Sequence, residues 1–250
     1  MNYLLYNLFY RGDGSFFILL LVSLALGGLT QLYIKSTYRK WSRVASANGL
    51  TGCQVAESIL NRNGIGPAIS VAPVGTAAAR TPVRIARAGG GALSDHYDPR
   101  TNVVALSPDV YDQSTVSATA VAAHEVGHAL QHARGYAFST LRTNMVPVVN
   151  FAGRFAWVLI FIGAILGFLQ LYYVGIAFFA CTVLFQFVTL PVELNASSRA
   201  LAQLRDGGLV TAPELAGARQ VLTAAALTYV ANALVSVLYL LYYLGIFRRR

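Results

Sequence analysis

Residues 155–192 read FAWVLIFIGAILGFLQLYYVGIAFFACTVLFQFVTLPV, 38 consecutive positions without a charge. At about 1.5 Å of rise per residue this is twice the length one bilayer crossing needs, so two helical spans of roughly 18–19 residues joined by a tight turn are predicted. The turn is expected at 170–175, where LQLYYVG supplies a polar residue, two interfacial tyrosines and a glycine. Working outward, Asp13 and Lys35 bracket 21 uncharged residues with the core FFILLLVSLALGGL. Arg219 and Arg248 bracket 28 more, of which 227–247 form the expected last span. The sequence thus predicts a mainly α, multi-span membrane protein with about four transmembrane helices. Its segments are an N-terminal anchor over 1–34, a membrane-proximal region over 35–154, the hairpin over 155–192, a helix over 193–219 and a C-terminal span over 220–250.

Composition agrees. Of the 250 residues 56% are hydrophobic and 12% charged, and the mean hydropathy is +0.54. Charged residues usually make up about 25% of a soluble domain. A disordered chain is excluded and an ordinary soluble enzyme disfavoured. The net charge of +9 is not gathered on one polar module, so it points to anionic lipid and positive cytoplasmic loops and not to nucleic acid. Cys53 and Cys181 are too few, and too differently placed, to make a disulfide framework. The first apolar run reads as a retained anchor: only Arg11 precedes it, and Lys35, Arg39, Lys40 and Arg43 follow it where a signal peptide would have small residues. With four spans, 35–154 and 193–219 share a side that holds 15 of the 19 Lys and Arg, which predicts a cytoplasmic middle region in the cell membrane. The terminal Arg248, Arg249 and Arg250 oppose this and are outnumbered.

The region 35–154 is the one long stretch able to form a water-facing α+β unit. Thr51 is an expected N-cap for a helix over 52–61, with Val55, Ala56, Ile59 and Leu60 on its apolar face and NRNGIG as its stop. VRIARAGGGALSD and NVVALS read as extended segments of a β-hairpin around a turn at 95–102. A helix of about 18 residues is expected next, capped by Ser114 or Ser117 and ended by Gly135.

That helix carries His124-Glu125-Val126-Gly127-His128, an H-E-x-x-H. Residues four apart on a helix differ by about 40° in direction and about 6 Å in height, so both imidazoles can meet one ion. Glu125 stands one step round the helix, beside that ion, where it can act as general base on a metal-activated water. With four His and four Glu in the chain, chance placement yields the pattern on the order of 0.001 times per chain. Read instead as helix histidines beside a structural glutamate, it requires a carboxylate in an apolar helix without a partner, which is costly. Gly127 and Ala129 leave room for a close neighbour.

A catalytic zinc takes a third protein ligand. His132 continues the series, but it is turned about 80° from His124 and lies about 12 Å along the axis, so a straight helix does not bring it to the same ion. His96 is a turn histidine that could reach in from a loop. Glu193, beside Pro191 at a span boundary in TLPVELNASSRA, pairs with Arg199 if it is only an interfacial charge. As a ligand it completes a His, His, Glu zinc set. It is the preferred third ligand, with Asn195, Ser197 and Arg199 as supporting candidates.

Together, LSDHYDPRTNVVALS, VAAHEVGHALQHARGYA and LPVELNASSRA resemble the membrane-bound neutral zinc metallopeptidases of the YugP-like family. The resemblance covers the whole chain, including the anchor, KSTYRKWS after it and the apolar hairpin before the glutamate. It implies a Zn2+-dependent peptidase with His124, His128 and Glu193 as ligands and Glu125 as general base. The layout is also similar to HtpX-type and prenyl-protein proteases, which commonly carry an acid four positions after the glutamate. Ser197 stands there in this chain, so the role of that acid does not transfer. The expected activity is endopeptidase cleavage of a protein or peptide substrate at the cytoplasmic membrane surface. The alternatives are an intramembrane protease of the site-2 type and a non-catalytic metal-binding membrane scaffold.

Overall fold

A computed structural model describes residues 15–66, 82–90 and 94–245. The expected start of the first span at Gly14, the stretch 67–81 and the terminal arginines fall outside these residues. Chain order is α1 (Ser15–Trp41), α2 (Gly52–Arg62), β1 (Arg84–Arg87), β2 (His96–Asp98), β3 (Val103–Leu106), α3 (Pro108–Tyr111), α4 (Val116–Ala133), α5 (Ala137–Leu166), α6 (Leu169–Asp206) and α7 (Ala212–Gly245). The fold is mainly helical, and α1, α5, α6 and α7 are each long and apolar enough to cross a membrane. The chain divides into two compact units, one of apolar helix and one of Leu32–Thr140 with Pro191–Ala226.

In the apolar unit, α1 presents Phe17, Leu21, Leu24 and Leu29 outward, each more than 60% exposed. Side chains of that kind on a helix this apolar call for lipid as their solvent. The hairpin of α5 and α6 packs through small residues. A Cβ on Gly163 would sit 2.5 Å from the Tyr172 nitrogen, and one on Gly175 would sit 2.7 Å from the Ile160 nitrogen. Such close backbone approach is how apolar helices associate where no hydrophobic drive operates. Ala156, Ile160, Tyr172, Ile176 and Phe179 fill the contact, and the Tyr172 hydroxyl donates to the Tyr243 carbonyl at 3.1 Å.

The break between α5 and α6 falls at Gly167 and Phe168, earlier than the predicted 170–175. Gly167 has a φ of +66°, and Phe168 N–H donates back to the Gly163 carbonyl at 2.9 Å. This is a glycine-terminated helix end. Gly175, read from sequence as part of the turn, instead serves helix packing.

The second unit has its own core. Val55, Ala56, Ile59 and Leu60 are all fully buried on one face of α2. Thr51 caps α2 as expected, its hydroxyl accepting from Gln54 N–H while the Gln54 side chain accepts from Thr51 N–H. Against α2 pack Val104 and Leu106 of β3, Val126 and Leu130 of α4, Leu204 of α6 and Leu222 of α7. Glu214 anchors the chain after α1 to the start of α7, accepting from the Ala47 and Thr211 N–H groups.

Two local expectations are corrected. The sheet order is β1-β3-β2, with β1 parallel to β3 and β2 antiparallel to it. VRIAR is therefore not the first arm of a hairpin. The hairpin is β2–β3, and its first strand lies inside the segment expected to be the turn. The true turn is shorter because the Asp98 carboxylate accepts from Arg100 N–H and the Thr101 hydroxyl, and Asn102 takes a φ of 54°. The N-cap of α4 is Thr115, not Ser114 or Ser117; its hydroxyl accepts from Ala118 N–H at 3.2 Å. Ser114 is engaged elsewhere, its carbonyl accepting from Ser46 N–H at 2.8 Å.

Candidate metal centre

The site is built where α4 meets the part of α6 after Pro191, both within the second unit. Helical spacing puts His124 and His128 on one face of α4, with ring centroids 4.8 Å apart. Glu193 lies opposite, 3% exposed in its side chain, with Oε2 at 3.3 Å from His124 Nε2 and 3.5 Å from His128 Nε2. One ligand atom from each of the three lies within 4.8 Å of the others. Two imidazole nitrogens and a carboxylate oxygen so gathered form a donor set that suits a zinc-sized divalent ion. His124, His128 and Glu193 are thus brought together, and His96 and His132 are not part of the cluster.

Gly127 permits this proximity. A Cβ there would stand 2.6 Å from the Ala196 carbonyl oxygen, so α4 and α6 touch backbone to backbone between the histidines and the glutamate. Glu125 points into the same buried region and is 8% exposed. Burial pushes its carboxyl up to about 7; His124 opposes the rise, and Glu193 and Asp95 add to it. A bound dication would draw the value back down.

Polar partners hold the rings. Ser197 Oγ lies 3.2 Å from His124 Nδ1. His128 Nδ1 lies 3.1 Å from Oε1 of Gln131, a fully buried residue. The Gln131 amide also donates to the Val192 carbonyl at 2.7 Å and to Asn195 Oδ1 at 3.0 Å. Arg199 Nε donates to that same Asn195 oxygen at 2.7 Å. Asn195, Ser197 and Arg199 were legible as candidates beside the glutamate. Gln131 was missed, although its position three residues after His128 puts it on the same helix face.

His132 serves the scaffold. The Tyr97 hydroxyl donates to Asn102 Oδ1 at 2.6 Å and accepts from His132 Nδ1 at 2.7 Å, which ties the end of α4 to the β2–β3 hairpin. Burial pushes the Tyr97 hydroxyl up to about 12, so it stays neutral in that role. His96, on β2, donates from Nδ1 to the Ser94 carbonyl at 2.9 Å.

Residues 16–248 match the protein family described as "Putative neutral zinc metallopeptidase". The chain belongs to this family. It is also 44% identical over 232 residues to the "Putative membrane protease YugP" of Bacillus subtilis strain 168, covering 93% of this chain and 96% of that protein. No solved structure matches. The zinc metallopeptidase family name agrees in kind with the His, His, Glu cluster, and the relative's membrane designation agrees with the four apolar helices.

Proposed function

We propose that this protein is a membrane-bound zinc metalloendopeptidase acting on protein or peptide substrates at the cytoplasmic face of the cell membrane. The observation that carries the reading is the convergence of His124, His128 and Glu193 with a buried Glu125 alongside. His124 and His128 would hold the ion through Nε2, the atoms that face Glu193, and Glu193 through its carboxylate. When bound, zinc lowers the pKa of the water it activates to about 7 and polarises the scissile carbonyl. Glu125 would take a proton from the attacking water on its carboxylate and return it to the leaving amine. Its burial suits the task, because a carboxyl whose pKa is raised toward neutrality both accepts and returns a proton. The excess of Lys and Arg in 35–154 and 193–219 supports the cytoplasmic placement. A site at the membrane surface, not inside a span, is favoured because α4 is not among the four span-length apolar helices.

The test is purified protein prepared without chelator, analysed for metal and for hydrolysis of an unfolded protein substrate. One zinc per chain is expected. Glu125→Gln should keep the zinc and lose roughly 10²–10⁴ of the turnover, the usual contribution of a general base. A Glu125→Gln protein as active as wild type would refute the assignment.

A further inference from the structure

The polarity of the hydrogen bonds behind His128 can be read in one direction only. Arg199 has N–H donors and no acceptor, so the Asn195 atom 2.7 Å from its Nε is the carbonyl oxygen Oδ1. That oxygen and the Val192 carbonyl are both pure acceptors, and both face the same end of the Gln131 amide, at 3.0 Å and 2.7 Å. The end that faces them is therefore the NH2 group. The opposite end, Oε1, is left facing His128 Nδ1 at 3.1 Å. An amide oxygen only accepts, so His128 carries its proton on Nδ1. In the neutral ring Nε2 is then bare, and it stands 3.5 Å from Glu193 Oε2.

We propose that Gln131 is a positioning residue of the metal centre: held by Asn195, Arg199 and the Val192 carbonyl, it locks His128 in the Nδ1–H tautomer that offers Nε2 to the ion. This rests on the metallopeptidase reading above. The lock belongs to His128 alone. Its counterpart at His124 is the Ser197 hydroxyl, which both donates and accepts and so imposes no tautomer. Gln131 is fully buried, and each of its partners comes from α4 or α6. The bonds that hold the ring therefore also join the helix bearing the histidines to the helix bearing Glu193. Groups that orient a ligating histidine through its second nitrogen typically contribute about 10–100-fold to metal affinity.

The experiment is zinc affinity by chelator competition on the full-length protein in detergent, with thermal stability of the metal-free form measured in parallel. Q131L and N195L should each weaken zinc binding, Q131L by about 10–100-fold. A purely structural role would lower the stability of Q131L and leave the zinc affinity of its folded fraction unchanged. Should Q131L fail to fold, 15N-histidine NMR of metal-free wild type, at a pH where the imidazoles are neutral, reads the lock directly: His128 should show a protonated Nδ1 and a bare Nε2. A proton on Nε2, or a folded Q131L that binds zinc as tightly as wild type, would overturn the proposal. If wild-type protein takes up no zinc at all, the peptidase reading falls and the positioning role with it. If wild type binds one zinc and Q131L binds it equally well, only the positioning role falls.

Discussion

Gly127→Ala adds a single methyl group at the point where α4 and α6 come closest. Its Cβ would lie 2.6 Å from the Ala196 carbonyl oxygen, 3.1 Å from the carbonyl carbon and 3.2 Å from Cα. All three atoms are backbone, so no side chain can swing aside. Ordinary contact begins at 3.4 Å, so the helices must part by about 0.8 Å or the backbone must bend, and overpacking of this kind costs about 1–3 kcal/mol. Against it stands the helix propensity of alanine over glycine, about 1 kcal/mol in favour of the variant. The net expectation is a destabilisation of about 0–2 kcal/mol, a fall in Tm of no more than about 8 °C. The functional effect should be much larger than the stability effect. Glu193 sits one helical turn before Ala196, so parting the helices draws its carboxylate away from both imidazoles. A misplacement near 1 Å in a catalytic constellation costs on the order of 10²-fold. Chelator-competition zinc affinity and peptide hydrolysis should therefore both drop in a protein that remains folded. Gly153→Ala is the control, since its Cβ meets only Thr182 Cγ2 at 3.7 Å, and it should be neutral. If Gly127→Ala matches wild type in zinc affinity and turnover, backbone contact between α4 and α6 does not set the site.

Further outcomes follow from the same geometry. Glu193→Gln removes the negative ligand while keeping its shape, and zinc retention through gel filtration in a weak chelator should be lost; a fully loaded variant would place the third ligand elsewhere. Tyr97→Phe deletes the hydroxyl that links His132 to Asn102, so Tm should fall by the equivalent of about 0.5–1.5 kcal/mol, and zinc content should stay at the wild-type level. For topology, a Glu57→Cys chain lacking Cys53 and Cys181 should react with a membrane-impermeant maleimide only after cells are permeabilised. Labelling of intact cells would reverse the orientation.

The parts of the fold visible in the sequence were those governed by period and charge. Uncharged runs marked four helices, and the apolar face of α2 followed its spacing residue by residue. Failure came where a side chain or a glycine chose among local options. Gly167 and Gly175 are equally plausible turn residues on paper, and only packing against Ile160 commits Gly175 to the helix contact. Asp98 nucleates a turn inside a Pro- and Asp-rich segment that composition treats as uniform. Thr115 takes the cap because the helix begins at Val116, one residue beyond the Ser114 carbonyl that pairs with Ser46 N–H. At the site, the H-E-x-x-H spacing is local information and was readable, and Glu193 at a span boundary was preferred as a ligand over an interfacial charge paired with Arg199. Gln131 was not, because, although it stands three residues after His128, the groups that orient its amide lie on a helix more than 60 residues away.

Charge explains how such a site can be buried in the second unit. Glu125 and Glu193 are 8% and 2% exposed, and the charge on Glu193 raises the cost of ionising Glu125. Two buried carboxylates in that relation do not both stay ionised unless positive charge joins them. Protonating one imidazole supplies a single charge and consumes that ring's lone pair. A dication supplies two, balances both acids, and uses both lone pairs. The arrangement is therefore expected to be less stable without its ion than with it. Adding zinc to stripped protein should raise Tm with zinc concentration, following the linkage for a ligand bound by the folded state alone. Glu193→Gln should abolish that rise, whereas a rise of wild-type size in the variant would show that the balance of charge is struck elsewhere.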